Sequence, residues 1–448
     1  MVFLQELLEV EMLMKLISPQ RECLHNLRKK MNTNQQQTVL VSAYAVNPYH
    51  GSEDGMGWNF ILQIARFNKV IAVTRENTRS DIEKYISENT SKDYSNIQFA
   101  YYDLPYWARF WKKGGRGAML YYYLWQFFLP RFVNKNKYKF DIVHNLNFHN
   151  DWTPSSLWKL DKPFVWGPIG HHPRIPKDYV LHVYGWRSYM MEEVKWMVKK
   201  YFWKMDPLLR QTVNHADRVL TMNSVVEQVL DLPKDKIYYM PSVSTEDPID
   251  IIDRKRNSDF TVLSAGRFVP LKGFDITIRA FARFYHQLSF AEQKKTKLVL
   301  VGDGPCKKYL QNLAKEMEVQ DQVTFIAWLQ RSDYKKLYKK SDVFLFPSHE
   351  GAGMVVAEAL SYGLPVICFQ NEGPGEFVSN DCGIRVPYNR YNTSVTKFAD
   401  ALRLLKDDGQ LYHSLSLGAR KMFQEKFNWN LKGNQLKDVY NDLSTKAS

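Results

Sequence analysis

Short apolar runs separated by amphipathic stretches constrain this chain more than any other feature, and the pattern runs through it twice. From Thr38 onward "TVLVSAY", "VIAVT", "IQFAYYDLP", "FDIVHNLN", "PFVWGPIG" and "RVLTMNS" read as strands, with turn residues and helical segments between them. The stretch "PSVSTEDPIDIIDRKRNS", residues 241–258, is polar, holds two prolines and reads as a linker. After it the pattern restarts with "FTVLSAGRF", "KLVLVGDGP", "VTFIAWL", "DVFLFPS" and "PVICFQ". Such alternation predicts parallel sheets covered by helices. The expected class is α/β: two tandem doubly wound, Rossmann-like domains facing a central crevice at the carboxyl ends of their strands. They are expected over residues 37–245 and 250–425, after an extension over 1–36. Residues 426–448 are expected to form a C-terminal helix that crosses back to the first domain.

Size agrees with two cores, because 448 residues exceed what one core serves and leave about 200 residues to each domain. The 45% hydrophobic and 24% charged fractions are those of a folded globular chain. A formal net charge of +14 favours an anionic partner such as a phosphorylated ligand, an acidic membrane surface or nucleic acid. Cys23, Cys306, Cys368 and Cys382 have no paired spacing suited to zinc or to a disulfide framework, and read as a reduced, cytosolic set. The apolar start carries Glu6, Glu9 and Glu11, which argues against a secretory signal. The longest apolar run, Ala118 to Leu129, is too short to span a bilayer. The expectation is a cytoplasmic protein, with a peripheral position on the inner face of the cytoplasmic membrane. The first thirty residues end in "RKKMNTNQQQ", so Met31 is the expected start; an amphipathic helix using Leu4, Leu8, Met12 and Leu16 is the alternative.

The chemistry concentrates in "SHEGAGMVVAEALSYGLPV", residues 348–366. The strand "DVFLFPS" leads into the flexible turn "HEGAG", then into a helix closed by Gly363 and Pro365. Glu350 then sits in the loop at the strand's carboxyl end, and Glu358 one to two turns into the helix. Free amides at that helix start favour an anion, and the two carboxylates can accept from sugar or ribose hydroxyls. By itself this segment fits equally well with Glu350 as a capping acid and Glu358 on a solvated helix face. In "SAGRFVPLKGFD", Arg267 and Lys272 follow another strand, and both can reach one diphosphate. Two solvated surface cations are the alternative there.

Taken in order, "GRFVPLKGFD", "LVLVGDGP", "SDVFLFPSHEGAGMVVAEALSYGLPVI" and "NEGPGEFV" resemble the family-4 retaining glycosyltransferases, nucleotide-sugar enzymes of the GT-B fold, of the bacterial surface polysaccharide type. The resemblance covers most of Thr261 to Pro387, the E-x7-E pair is the family's best-known mark, and the motifs are specific together rather than singly. It implies that Arg267 and Lys272 hold the donor diphosphate and that Glu350 contacts the donor sugar. It further implies that Gly351, Ala352, Gly353, Met354 and Val355 present the loop and helix start to sugar or phosphate, and that Glu358 holds the ribose. Trp328 and Leu329 fall where such enzymes hold the nucleobase. In the amino half, "NPYHGSEDGMGWNF" is similar to a Gly-rich loop after the first strand, whose Gly51, Gly55 and Gly57 admit a pyrophosphate, with Glu53 and Asp54 toward the acceptor. A catalytic histidine near a strand end is expected in "DIVHNLNFHNDW"; position favours His149, with His144 as a core histidine. In "FVWGPIGHHP", His171 and His172 stand where further glycines are usual, and their task stays open.

The implied reaction is transfer of a hexose from a nucleoside diphosphate, UDP before GDP, onto a polyprenyl-linked or oligosaccharide acceptor with retention. No metal and no cofactor beyond the donor is implied, and no Asp-rich metal motif stands out. An epimerase or hydrolase of the same fold, or an idle nucleotide-binding subunit, are the alternatives. Finally, residues 104–140 hold no Asp or Glu but many Lys and Arg among Trp107, Phe110, Trp111, Tyr121, Tyr122, Tyr123, Trp125, Phe127 and Phe128. That stretch is expected to touch an anionic membrane surface; nucleic acid has no further support.

Overall fold

The computed structural model describes residues 36–112, 114, 117–146, 149–248, 259–327, 329 and 331–447. The expected amino-terminal extension, the Met31 start and Trp328 lie outside the described residues.

The first domain is built on β1 (Thr38–Ser42), β2 (Lys69–Thr74), β3 (Ile97–Tyr101), β4 (Ile142–Asn145), β5 (Phe164–Ile169), β6 (Arg218–Thr221) and β7 (Ile237–Tyr239). The order across the sheet is β3-β2-β1-β4-β5-β6-β7, with every pair parallel. The second is built on β8 (Phe260–Ala265), β9 (Thr296–Val301), β10 (Val323–Ile326), β11 (Val343–Phe346), β12 (Val366–Phe369) and β13 (Gly383–Val386), in the order β10-β9-β8-β11-β12-β13, again parallel. Both sheets are buried on both faces. Val39 and Val41 of β1 point into one core with Met56, Phe60 and Ile64, while Leu40 between them points into the other with Trp125 and Leu129. This is the doubly wound α/β architecture expected. The edge strands β7 and β13 were not anticipated: "IYY" and "GIRV" are only partly buried and lack the continuous apolar run of the central strands.

Two crossings join the domains besides the linker. The helix Trp429–Ala447 leaves the second domain and lies on the helix Ser52–Ala65, where Leu436, Val439, Tyr440 and Leu443 enter the first core. Tyr440 Oη lies 2.7 Å from His144 Nδ1, and His144 Nε2 lies 2.6 Å from the Gly167 carbonyl. The carbonyl can only accept, so the ring is protonated on Nε2 and its Nδ1 accepts from Tyr440. His144 is therefore a satisfied core histidine, held neutral by burial with its pKa down at about 4. Tyr440→Phe leaves Nδ1 unpartnered, and a loss of about 1–2 kcal/mol is expected in denaturant unfolding; an unchanged midpoint would count against the pairing.

The second crossing has no counterpart in the sequence reading. The helix Lys177–Met205 breaks at Gly185 (φ 80°, ψ 174°) into two limbs. The first limb belongs to the second domain: Tyr179 and Val180 join its core, the Tyr179 ring stacks on Tyr388 at 5.1 Å, and Tyr184 donates to Asp275 at 2.6 Å. The second limb returns to the first domain, with Phe202 against Tyr123 and Trp152. A segment inside the expected first domain thus straps the two together.

Candidate active site

The loops that follow β8 and β11 lie side by side because the strands are neighbours. After β8 the buried Phe268 anchors the chain, a tight turn over Pro270–Lys272 follows, and Gly273 (φ 65°) redirects it into the helix Phe274–Tyr285. Lys272 Nζ reaches both oxygens of Glu350 at 2.6 Å, and both side chains are mostly buried. Arg267 is exposed and has no carboxylate partner among the described residues. The two cations expected on one phosphate therefore differ in setting: Lys272 is held by Glu350, whereas Arg267 stands exposed.

Beyond Glu350, Gly353 starts the helix Met354–Ser361 and Gly363 (φ 64°) follows its end. Ala352, Met354 and Val355 are half-buried against the second core, as is Leu329. Glu358 is half-exposed and accepts from Tyr338 Oη at 2.9 Å. Burial first, then the nearby Glu358 charge, pushes the Tyr338 hydroxyl well above the usual phenol range, which keeps it a donor.

Across the crevice the first domain contributes three loops. His149 is buried, its Nδ1 lies 2.8 Å from the Pro168 carbonyl, and its Nε2 has no hydrogen-bond partner among the described residues. With Nδ1 carrying the proton, Nε2 offers a bare lone pair. Its pKa is pushed down to about 4 by burial, so the ring is neutral near pH 7. The His149 amide in turn donates to Glu53, whose carboxyl burial raises to about 7. Glu53 thus fixes the loop that carries His149. Asp54 contacts His50 instead, at 3.3 Å.

His171 and His172, left unassigned above, build the contact between domains. The Gly351 amide donates to His172 Nδ1 at 3.1 Å, and His172 Nε2 faces the His149 carbonyl at 3.3 Å. His171 Nδ1 donates to the buried Asp151 at 2.7 Å. Asn223 accepts from the His171 amide and donates to the carbonyls of His171 and Glu372, while Ser224 donates to Glu376. Asn223 and Ser224 escaped the sequence reading. Their signal was their place in "RVLTMNS", at the carboxyl end of a strand, where the crevice lies.

The glycines of the amino half need correction. Gly55 and Gly57 lie inside the helix Ser52–Ala65, not on a loop. A Cβ on Gly57 would stand 2.1 Å from the Ala45 carbonyl, and one on Gly55 2.5 Å from that of His50. Their bare Cα atoms let this helix pack on its own preceding loop. Only Gly51 precedes the helix. The aromatic stretch also divides: Tyr121, Tyr122 and Trp125 are core residues, and Tyr106, Trp107 and Phe110 are exposed.

Four histidines whose rings are held neutral by desolvation give the protein a definite pH response. Burial lowers His144, His149 and His172 from 6.5 to about 4, and His349 to about 3. Between those values and 6.5 the unfolded chain binds more protons, so this stability is complete above 6.5 and is lost as pH falls toward 4. Glu53, raised from 4.5 to about 7, acts oppositely, as do Asp275 and Glu376, whose carboxyls burial also raises, so three groups stand against four. The melting temperature is expected to be lower at about pH 5 than at about pH 7; a flat or rising profile toward acid would contradict the burial of these rings.

Comparison with known proteins agrees with this fold. Residues 247–422, most of the second domain, match the family model described as glycosyl transferases group 1. An uncharacterized glycosyltransferase of Methanocaldococcus jannaschii is 28% identical over 46% of this chain and 48% of its own. The lipopolysaccharide core biosynthesis glycosyltransferase LpsD of Rhizobium meliloti is 32% identical over 44% of this chain and 52% of its own. The chain thus spans about half the length of these relatives. Among solved structures, sucrose-phosphate synthase from Thermosynechococcus elongatus aligns with a TM-score of 0.65 at 18% identity, covering 92% of this chain and 100% of that one. HepE of Anabaena in complex with UDP aligns with a TM-score of 0.58 at 14% identity, covering 91% and 100%. The fold is GT-B.

Proposed function

We propose that the chain is a retaining glycosyltransferase that moves a hexose from a nucleoside diphosphate sugar, UDP rather than GDP, to a lipid-linked or growing polysaccharide acceptor without a metal ion. The observation that carries the reading is the Lys272–Glu350 pair at the carboxyl ends of β8 and β11, next to Gly351, whose amide meets His172 and through it the loop of His149. The family match over residues 247–422 and the kinship with LpsD support sugar transfer to a surface glycan, and the UDP complex of HepE supports the donor base.

In this reading Lys272 turns from Glu350 to the donor diphosphate, and Arg267 swings in as the second cation to stabilise the departing charge. Glu350, released, accepts from sugar hydroxyls, as does His149 Nε2 from the opposite wall. Glu358 takes the ribose, and the amides of Ala352 and Gly353 hold sugar or phosphate, while that of Gly351 stays on His172. The acceptor hydroxyl attacks the anomeric carbon from the face the diphosphate leaves, and its proton passes to a diphosphate oxygen. Phosphate charge is met by side chains and amides, and no cluster of three His, Cys, Asp or Glu suited to a metal occurs among the described residues.

Calorimetric titration with UDP, GDP and their sugars tests it. UDP is expected to bind better than GDP, and a UDP-sugar better than UDP. Glu350→Ala is expected to remove that sugar increment while keeping UDP. Folded protein that binds neither nucleotide would overturn the donor-site reading.

A further inference from the structure

The second limb of the strap, residues 186–205, presents one face to the crevice wall and leaves the other bare. Trp196 and Trp203 stand against the His171 ring at 6.0 and 5.2 Å, and Lys199 donates to the His172 carbonyl at 3.1 Å. On the outer face Trp186, Met190, Val194, Met197, Tyr201 and Met205 recur every three or four residues, and their exposure runs from 39% at Met190 to 68% at Met205. Met191 and Val198 widen the stripe. Single exposed apolar residues are ordinary, but a continuous row along about 30 Å of helix is not.

Charge selects the occupant. The limb carries five cations, Arg187, Lys195, Lys199, Lys200 and Lys204, against Glu192 and Glu193. Glu192 pairs with Lys195 at 2.6 Å and Glu193 with Arg174. Arg187, Lys200 and Lys204 are exposed without a carboxylate partner among the described residues. A second copy docked on the same face would bring these cations against their equivalents. The limb also packs on the helix that carries another exposed apolar residue, Leu120. Leu120, beside the exposed Tyr106, Trp107 and Phe110 in chain order, lies one turn before Tyr123. The Tyr123 ring meets Phe202 at 5.8 Å, and its hydroxyl donates to Asp206 at 2.9 Å, at the end of the limb.

We propose that the outer face of residues 186–205 seats the protein on an anionic phospholipid surface, lying in the interface plane with its apolar row in the headgroup boundary and Arg187, Lys200 and Lys204 on lipid charges. No helix among the described residues is long and apolar enough to cross a membrane, so the contact is one of lying on the surface. Because the inner face of the same limb holds His171 and His172, the lipid surface lies about one helix diameter, roughly 10 Å, from the crevice wall. A lipid-anchored acceptor would then reach the crevice without leaving the membrane, which deepens the reading above.

The surface is tested without donor or acceptor, so its failure and that of the donor site are separable. Full-length protein is sedimented with vesicles of phosphatidylcholine alone and of phosphatidylcholine with phosphatidylglycerol, at low and high salt. Binding to the mixed vesicles at low salt is expected, with little to the neutral ones. Met197→Glu combined with Val198→Glu, and separately Lys200→Glu with Lys204→Glu, are expected to lower partitioning about tenfold or more, with melting temperature and UDP titration unchanged. Wild-type protein that ignores the mixed vesicles, or variants that bind like wild type, overturn the proposal. So does a wild-type dimer in sedimentation velocity that Met197→Glu with Val198→Glu splits, since a second copy would then cover the face.

Discussion

Lys272→Ala is expected to lower kcat/KM for sugar transfer by about 10²–10³-fold, the loss that follows removal of one fixed charge from a departing anion. Part of the effect precedes chemistry. Lys272 Nζ holds both Glu350 oxygens at 2.6 Å in a mostly buried pair, so its removal leaves a carboxylate short of donors at the crevice wall. A stability loss of about 1–3 kcal/mol accompanies it. Lys272→Arg separates the two effects, since it keeps the charge but presents a planar fork in place of a point charge. The measurement is initial-rate kinetics beside UDP calorimetry on all three proteins. Wild-type turnover by Lys272→Ala would remove Lys272 from the donor site.

The second large effect is expected at Gly273. Its φ of 65° lies where side chains are disfavoured, and a Cβ there would stand 2.0 Å from the Pro347 carbonyl. Pro347 precedes Ser348, His349 and Glu350, so the clash falls on the backbone that aims Glu350. Gly273→Ala is expected to cost about 3 kcal/mol or more, left-handed strain and overpacking together, and to lower activity beyond what stability explains. Gly409→Ala, where a Cβ meets nothing within 4 Å, is the control and is expected to be close to neutral. Equal melting temperatures for the two variants would refute the close approach.

The legible part of the fold was local. A buried strand of four to six residues followed by a glycine turn and an amphipathic helix leaves its mark within one window, as at "DVFLFPSHEGAGMVVAEAL" and "FTVLSAGRFVPLKGFD". The strand's end then puts the following loop on the crevice side. Glu350, Lys272 and the glycine turn were found that way. Gly55 and Gly57 were misplaced because a glycine cluster after a strand reads as a phosphate loop, whereas these two serve helix packing on Ala45 and His50. Asn223 and Ser224 stayed hidden because their partners, Glu372 and Glu376, lie in the other domain.

By itself, then, the sequence determined the class of fold, the two-domain plan and the loops that carry Lys272 and Glu350, since each rests on contacts between near neighbours in the chain. Tertiary structure alone decided what side-chain type leaves open. Aromatic and basic residues crowd both 104–140 and 186–205, and residue type does not tell the buried Tyr121, Tyr122 and Trp125 from the bare Met191, Met197 and Tyr201. The helical period puts each residue on a face, but which face meets protein depends on elements far away in sequence. His172 meets Gly351 and Tyr179 enters the second core for the same reason: burial is a property of the assembled neighbours.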